Sequence, residues 1–195
     1  MNVFRILSAC ACALLLGACA RQIVITPDLA KLEGGGVASL KKTVGLYVPP
    51  EDKARQVTTA GGGGDKVSYF PYRDLETGVY RMLINVFEKV VVMKSPTDSD
   101  ALRRDGVTLV VTPKIATDSS SDSLLRWPPT SFSVRLTCAV SDAAGKVVTQ
   151  PTVEGVGTAT LSEIIADVSV AGKRASQDAL GKMQRALLDA PELRR

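Results

Sequence analysis

The amino-acid sequence predicts an α+β fold: a mixed or antiparallel sheet of about five strands with two main helices packed on one face. Two stretches, near residues 72–87 and 164–188, carry apolar residues at helical spacing. Between them lie stretches of β-branched or alternating apolar residues, which are typical of strands. The predicted order is strand, helix, four strands, helix. Strands grouped between two amphipathic helices favour a sheet that is covered on one face.

The N-terminal half of the domain begins with a predicted strand at residues 43–48. This strand must end at Pro49, because proline has no N–H to donate to a sheet. Residues 51–68 are polar and glycine-rich, and we expect a long mobile loop there. The first helix follows, and Gly78 within it indicates close packing against a neighbour. A β-branched strand at residues 89–93 comes next.

The C-terminal half begins with a short helix at residues 97–104 and a strand at 107–112, followed by a polar loop at 116–130. A hairpin joins Ser131–Ser141 to Lys146–Thr160. Its residues Gly155 and Gly157 indicate either a bulge or a close approach of two backbones. The last helix is limited by Pro191, and Gly172 is a candidate for a break in it.

Residues 1–18 have the pattern of a signal peptide rather than of the fold. Arg5 is their only charged residue, and apolar and small residues run from Ile6 to Ala18. As a helix this run spans roughly 20 Å, which is shorter than the ~30 Å hydrocarbon core of a bilayer. The segment therefore indicates export rather than a permanent membrane span.

The residues Leu16-Gly17-Ala18-Cys19 resemble the bacterial lipobox. The resemblance implies that signal peptidase II cuts between Ala18 and Cys19, and that the Cys19 sulfur and amine then carry acyl chains such as palmitate. Three chains would anchor the protein permanently, since two already give stable anchoring. Ala20, in place of an aspartate, favours the outer membrane, with the domain facing the periplasm. A plain secretory signal with an incidental cysteine is the alternative.

The predicted domain organisation has four parts. A lipoprotein signal peptide (1–18) precedes the lipidated N-terminus and a flexible tether (19–42), in which Ile23–Ile25 is a candidate edge strand. One α+β periplasmic domain (43–190) and a basic tail (191–195) follow. The mature chain keeps one further cysteine, Cys138, on the apolar side of an alternating strand, where we expect a buried and inert thiol.

The composition argues against an enzyme. The chain has no histidine, which excludes Ser-His-Asp and Cys-His catalysis and histidine-ligated zinc. The segment Gly61–Lys66 departs from a phosphate-binding loop, because Asp65 precedes the lysine and Val67 follows it. We predict no catalytic residues, no metal and no cofactor.

Two groups of residues are candidate interaction sites. Leu124, Leu125, Arg126 and Trp127 lie in a polar, proline-bounded loop, where they either bind a protein partner or cover the core. Residues 173–195 carry six basic and three acidic side chains. Among them Lys173, Arg174, Lys182 and Arg185 are candidates for contact with an anionic ligand; a solvated helix face is the alternative.

The order of elements resembles a family of small envelope lipoproteins with a TolB-N-terminal-like fold. The residues that carry the resemblance are the lipobox, the strand at 44–48, the helix from Leu75 to Val86 and the strand Val90–Val92. Similar proteins are YajG-like lipoproteins, auxiliary lipoproteins of ABC-type transporters, and the CsgG and PelC secretion lipoproteins. The resemblance implies a non-catalytic accessory component of a cell-envelope transport or secretion machine, with other envelope proteins as partners, sometimes as a homo-oligomeric ring. A binding module for an anionic glycan or lipid is the alternative function, and nucleic acid is not expected as a partner.

Overall fold

A computed structural model describes residues 20–32, 40–60, 66–121 and 129–194. Within these ranges the chain forms nine strands, five α-helices and two short 3-10 helices. The strands are β1 (Arg21–Gln22), β2 (Leu40–Leu46), β3 (Val57–Ala60), β4 (Lys66–Tyr69), β5 (Phe87–Val92), β6 (Leu109–Ser120), β7 (Ser131–Asp142), β8 (Val147–Thr149) and β9 (Thr152–Thr158). The α-helices are α1 (Pro50–Lys53), α2 (Pro71–Val86), α3 (Ser99–Arg104), α4 (Leu161–Ala166) and α5 (Val170–Asp189). The 3-10 helices are Leu29–Lys31 and Pro191–Arg194.

The strands form two sheets. The main sheet has the order β5-β2-β6-β7, and both β8 and β9 pair with the free side of β7. Strands β5, β2 and β6 run parallel, whereas β7 is antiparallel to β6, β8 and β9. In the smaller sheet, β4 lies between β1, which is parallel to it, and β3, which is antiparallel. The α+β class with a mixed sheet is confirmed, and the strands outnumber the five that we expected.

Helices α2 and α5 pack against each other and against the sheet, as the sequence predicts. Helix α2 contacts β5 and β6, and α5 contacts β7 and β9. The fully buried large residues of the two helices are Leu75, Met82, Leu83, Leu180, Met183 and Leu187. All of them belong to one hydrophobic core, which therefore lies between the two helices and the sheet.

A second, smaller cluster lies on the other face of the sheet. Val110 belongs to it, whereas Leu109 and Val111 belong to the main core, because neighbouring residues of a strand point to opposite faces. The cluster is covered by α3 through Ala101. The side chain of Asp98 caps this helix by accepting a hydrogen bond from the N–H of Ala101 at 3.1 Å.

Strand β9 and helix α5 are in direct backbone contact, as Gly155 and Gly157 indicate. A Cβ atom at Gly155 would lie 2.3 Å from the carbonyl oxygen of Ala175, and one at Gly157 would lie 2.1 Å from that of Ala171. The pairing of β9 with β7 runs without a register shift. Close approach, rather than a bulge, therefore explains these glycines.

The long loop predicted for residues 51–68 is wrong for the part that the structure describes. Residues 50–53, 57–60 and 66–69 form α1, β3 and β4. Tyr69 is fully buried, its ring packs edge-on against Phe132 at a centroid distance of 5.2 Å, and its hydroxyl donates to Oγ1 of Thr117 at 2.7 Å. These contacts come from distant parts of the chain, so a local pattern does not reveal them.

The polar loop predicted for residues 116–130 is wrong at its beginning, because β6 continues to Ser120. Every residue from Leu109 to Ser120 has a partner in β7. Ser119 is buried and its hydroxyl is hydrogen-bonded to that of Thr59 in β3. A buried serine with a partner satisfies its polar group, so the strand tolerates it.

The last helix is divided, but not at Gly172. Helix α4 ends at Ala166 and α5 begins at Val170. Thr160 and Glu163 form a capping box at the start of α4, each accepting a hydrogen bond from the backbone N–H of the other. The predicted basic tail at 191–195 is also wrong for its described part, because Leu193 is fully buried.

Candidate functional site

The segment that follows the predicted lipidation site is part of the folded domain. Arg21 and Gln22 form β1 and pair with Val67 and Ser68 of β4, and the N–H of Ile23 donates to the carbonyl of Ser68 at 2.9 Å. The flexible tether predicted for residues 19–42 is therefore wrong for residues 21–32. Ala18 and Cys19 lie outside the described residues.

A buried carboxylate fixes the next turn of this segment. The N–H of Ile25 donates a hydrogen bond to Oδ2 of Asp74 at 3.2 Å, and Oδ1 of Asp74 lies 3.8 Å from Nε of Arg73. Asp74 is only 5% exposed. Burial raises the pKa of the Asp74 carboxyl above its ordinary value, and the bond from Ile25 and the charge of Arg73 oppose that rise. Sequence analysis did not identify Asp74.

Two glycines make room for the segment on the helices. A Cβ at Gly172 would lie 2.4 Å from Cγ2 of Ile25, and a Cβ at Gly78 would lie 2.7 Å from Cγ of Pro27. Ile25 is fully buried. The close packing predicted at Gly78 is confirmed, and the partner is the N-terminal segment as well as Leu180 of α5.

A groove separates this segment from the first half of α5. It encloses about 690 Å³ and is lined by residues 26–28 and Lys31 on one side, and by Val170, Lys173, Arg174, Gln177 and Asp178 on the other. Two of the four cations predicted to contact an anionic ligand, Lys173 and Arg174, thus lie in one concave surface together with Lys31. The groove is the candidate ligand site.

Each cation of the groove already has a carboxylate partner. Nη2 of Arg174 donates to Oε1 of Glu163 at 2.6 Å, and Nη1 donates to the carbonyl of Thr158 at 2.7 Å. The Arg174 guanidinium lowers the pKa of Glu163 to about 2. Nζ of Lys173 donates to Oδ2 of Asp167 at 2.8 Å. Nζ of Lys31 lies 3.7 Å from Oδ2 of Asp28. An incoming anion must compete with these carboxylates.

The other two predicted cations lie further along α5. Nζ of Lys182 donates to Oδ2 of Asp178 at 2.6 Å and to the carbonyl of Glu154 at 2.9 Å. Asp178 also accepts the N–H of Val156 at 3.0 Å, so this pair joins α5 to β9. Arg185 is exposed one turn beyond Asp178 and Lys182. These contacts give Lys182 a role in packing the helix on the sheet.

Cys138 lies where the alternating pattern predicts it. It is fully buried in β7, and burial raises the pKa of its thiol to about 12. A thiolate is the reactive form of cysteine, so this side chain is inert at neutral pH. Its burial confirms the interpretation of Cys138 as a core residue.

The second group of candidate residues, Leu124 to Trp127, lies outside the described residues. The structure describes the residues on either side of this group, Ser121 after β6 and Pro129 before β7. Among the residues that the structure describes, no helix is both long enough and apolar enough to cross a membrane.

No protein-family model and no curated protein matches the chain. Its fold is similar to three solved structures. A Xanthomonas campestris protein of the family DUF330 has a TM-score of 0.44 and 12% identity, with 88% of this chain and 93% of that chain covered. A minor lipoprotein from Acinetobacter baumannii has a TM-score of 0.42 and 12% identity, with 75% and 92% covered. A PelC dodecamer from Paraburkholderia phytofirmans has a TM-score of 0.34 and 14% identity, with 74% and 94% covered. Likenesses of this size carry no inference about function.

Proposed function

We propose that this protein is a lipid-anchored, non-catalytic accessory or assembly component of a bacterial cell-envelope transport or secretion machine. Its anchor is Cys19, and its domain faces the periplasm from the outer membrane. The observation that carries the proposal is the lipobox-like run from Leu16 to Cys19, which comes directly before the first strand of the domain. An acyl anchor confines the domain to a thin layer, which raises its effective concentration for other envelope proteins.

Two features of the described residues support a non-catalytic role. Cys138 is a buried thiol, and its raised pKa removes it as a nucleophile. Lys173, Arg174 and Lys182 are each held by a carboxylate that joins parts of the fold. The side chains that sequence analysis identified as chemically interesting thus serve packing and capping instead.

The first test of the proposal is the cellular location of a Cys19→Ser variant. The wild-type protein is expected in the outer-membrane fraction, and Cys19→Ser in the soluble periplasmic fraction or uncleaved in the inner membrane. A Cys138→Ser variant is the control, since it removes a thiol that carries no lipid in the proposal. Wild-type protein that is soluble would contradict the anchor.

The second test separates the accessory role from the alternative of a binding module for an anionic glycan or lipid. The groove of Lys31, Lys173 and Arg174 is the observation that favours the alternative. We expect Trp127→Ala to lose co-purifying envelope proteins and to keep its binding to anionic vesicles and polysaccharide. Tyr80→Ala, which removes a partly exposed aromatic ring from α2, is the control. Loss of ligand binding with protein partners retained would favour the alternative.

A further inference from the structure

The position of β1 leaves almost no free chain between Cys19 and the domain. Arg21 is already paired with Val67, so Ala20 is the only residue between the two. Two peptide steps of about 3.8 Å place the Cα of Cys19 within about 8 Å of that of Arg21. A lipid on Cys19 would therefore hold the edge of the domain at the membrane surface.

One end of the domain contains this entry point, and several strand ends lie beside it. Strand β4 is parallel to β1 and begins there at Lys66, and β3 ends there because it is antiparallel to β4. The hydrogen bond between Thr59 and Ser119 brings the end of β6 to the same place, and Ser120 pairs with Ser131 at the start of β7. We call this end the anchor pole, defined by Arg21, Lys66, Ser120 and Ser131.

The opposite end is fixed by the length of β7. This strand has 12 residues, from Ser131 at the anchor pole to Asp142. At about 3.4 Å per residue it spans about 40 Å. The hairpin turn that follows, which contains Ala144, therefore lies at the far pole, and Ala144 is exposed there.

The charges at the anchor pole suit a lipid surface. Lys66 is exposed at the first position of β4, and Arg21 is exposed beside it in β1. Cations near a bilayer are attracted to the phosphates of anionic lipids. The pole thus combines the shortest path to the lipid anchor with two exposed positive side chains.

Resting on the proposed lipidation of Cys19, we propose that the anchor pole lies directly against phospholipid headgroups, with Lys66 and Arg21 facing the lipid phosphates. The hairpin of β6 and β7 then stands away from the membrane, and its turn is the most distant part of the domain. The domain is mounted on the bilayer instead of moving on a long tether. Its far pole and the outer faces of its strands remain available to protein partners.

The test uses the full lipidated protein, purified from bacterial membranes and reconstituted in vesicles of phosphatidylcholine and phosphatidylglycerol that carry a headgroup quencher. A fluorophore is attached to Lys66→Cys or Ser120→Cys at the anchor pole, or to Ala144→Cys at the far pole. Cys138 is fully buried and Cys19 carries the lipid, so neither takes the label in the folded protein. We expect the labels at 66 and 120 to lose most of their fluorescence and the label at 144 to keep nearly all of it.

Two results would overturn the proposal, and they differ in meaning. Equal quenching at both poles of a protein that floats with the vesicles and carries the lipid would contradict the mounted orientation alone. A bare Cys19 thiol in a protein that does not float would remove the anchor and the orientation together. The circular dichroism of each labelled variant must match the wild type. Two anchor-pole positions on different strands ensure that a local disturbance at one of them does not decide the outcome.

Discussion

The backbone N–H of Ile25 donates a buried hydrogen bond to the carboxylate of Asp74, which lies 49 residues later in the chain. Ile25 is fully buried and Asp74 is 5% exposed. The bond joins the segment nearest to Cys19 to the first turn of α2. It acts together with the pairing of β1, so the start of the mature chain is held at two consecutive places.

Removing the acceptor at Asp74 should cost more than changing its charge. Asp74→Ala leaves the buried N–H of Ile25 without a partner, and such a loss costs about 1–3 kcal/mol of unfolding free energy. Asp74→Asn keeps an oxygen that accepts the bond and should retain most of that stability. Urea denaturation at pH 7 measures both variants. Equal stability of the two would show that the hydrogen bond contributes nothing.

The raised pKa of Asp74 predicts a pH dependence of definite sign. The folded state binds the proton more tightly than the unfolded state, so this carboxyl favours folding most below its ordinary pKa of about 3.9. Its contribution falls as the pH rises through the folded-state pKa. The unfolding free energy of the wild type minus that of Asp74→Asn should therefore decrease between pH 4 and pH 7. A difference that stays constant or increases would contradict the burial argument.

Gly172 and Gly181 offer a matched pair within α5. A Cβ at Gly172 meets Cγ2 of the buried Ile25 at 2.4 Å, whereas a Cβ at Gly181 meets nothing within 4 Å. Gly172→Ala should destabilise the domain by about 1–3 kcal/mol, as overpacking does. Gly181→Ala should stabilise it by up to about 1 kcal/mol through helix propensity. Thermal unfolding measures both, and similar effects of the two variants would mean that the N-terminal segment does not occupy this position.

The ion pair of Glu163 and Arg174 tests whether the groove binds anions. Glu163→Gln keeps the capping box of α4, since glutamine suits that position, and it releases Arg174 from its charged partner. Retention on a sulfated polysaccharide column should rise with Glu163→Gln and stay unchanged with Arg174→Gln. Glu192→Gln has the same change of net charge away from the groove and is the control. A clear drop with Arg174→Gln would favour the binding-module function instead.

The regular elements could be predicted because their patterns are local. The stripe of α2 predicts a helix at 72–87, and the structure places it at Pro71–Val86. The alternation around Cys138 likewise predicts β7. Both elements bury one face, and periodicity reports a buried face directly.

The elements that were missed depend on contacts between distant residues. Strand β4 has four residues beside a glycine run, and its burial needs Phe132 and Thr117 from other strands. Residues 21–32 were interpreted as a tether because Pro27 and the following glycines indicate irregular structure. The alternation of buried Ile23, exposed Val24 and buried Ile25 was the available signal. Asp74 could not be distinguished from a surface carboxylate without its partner.

The most direct test of the central claim, that acyl chains on Cys19 anchor a domain which begins immediately after it, is mass spectrometry of the N-terminal peptide of the protein from its native membranes. The account predicts a mature chain that begins at Cys19, with a diacylglyceryl thioether on its sulfur and an acylated amine. A mature chain that begins at any other residue, or a free thiol at Cys19, would contradict it.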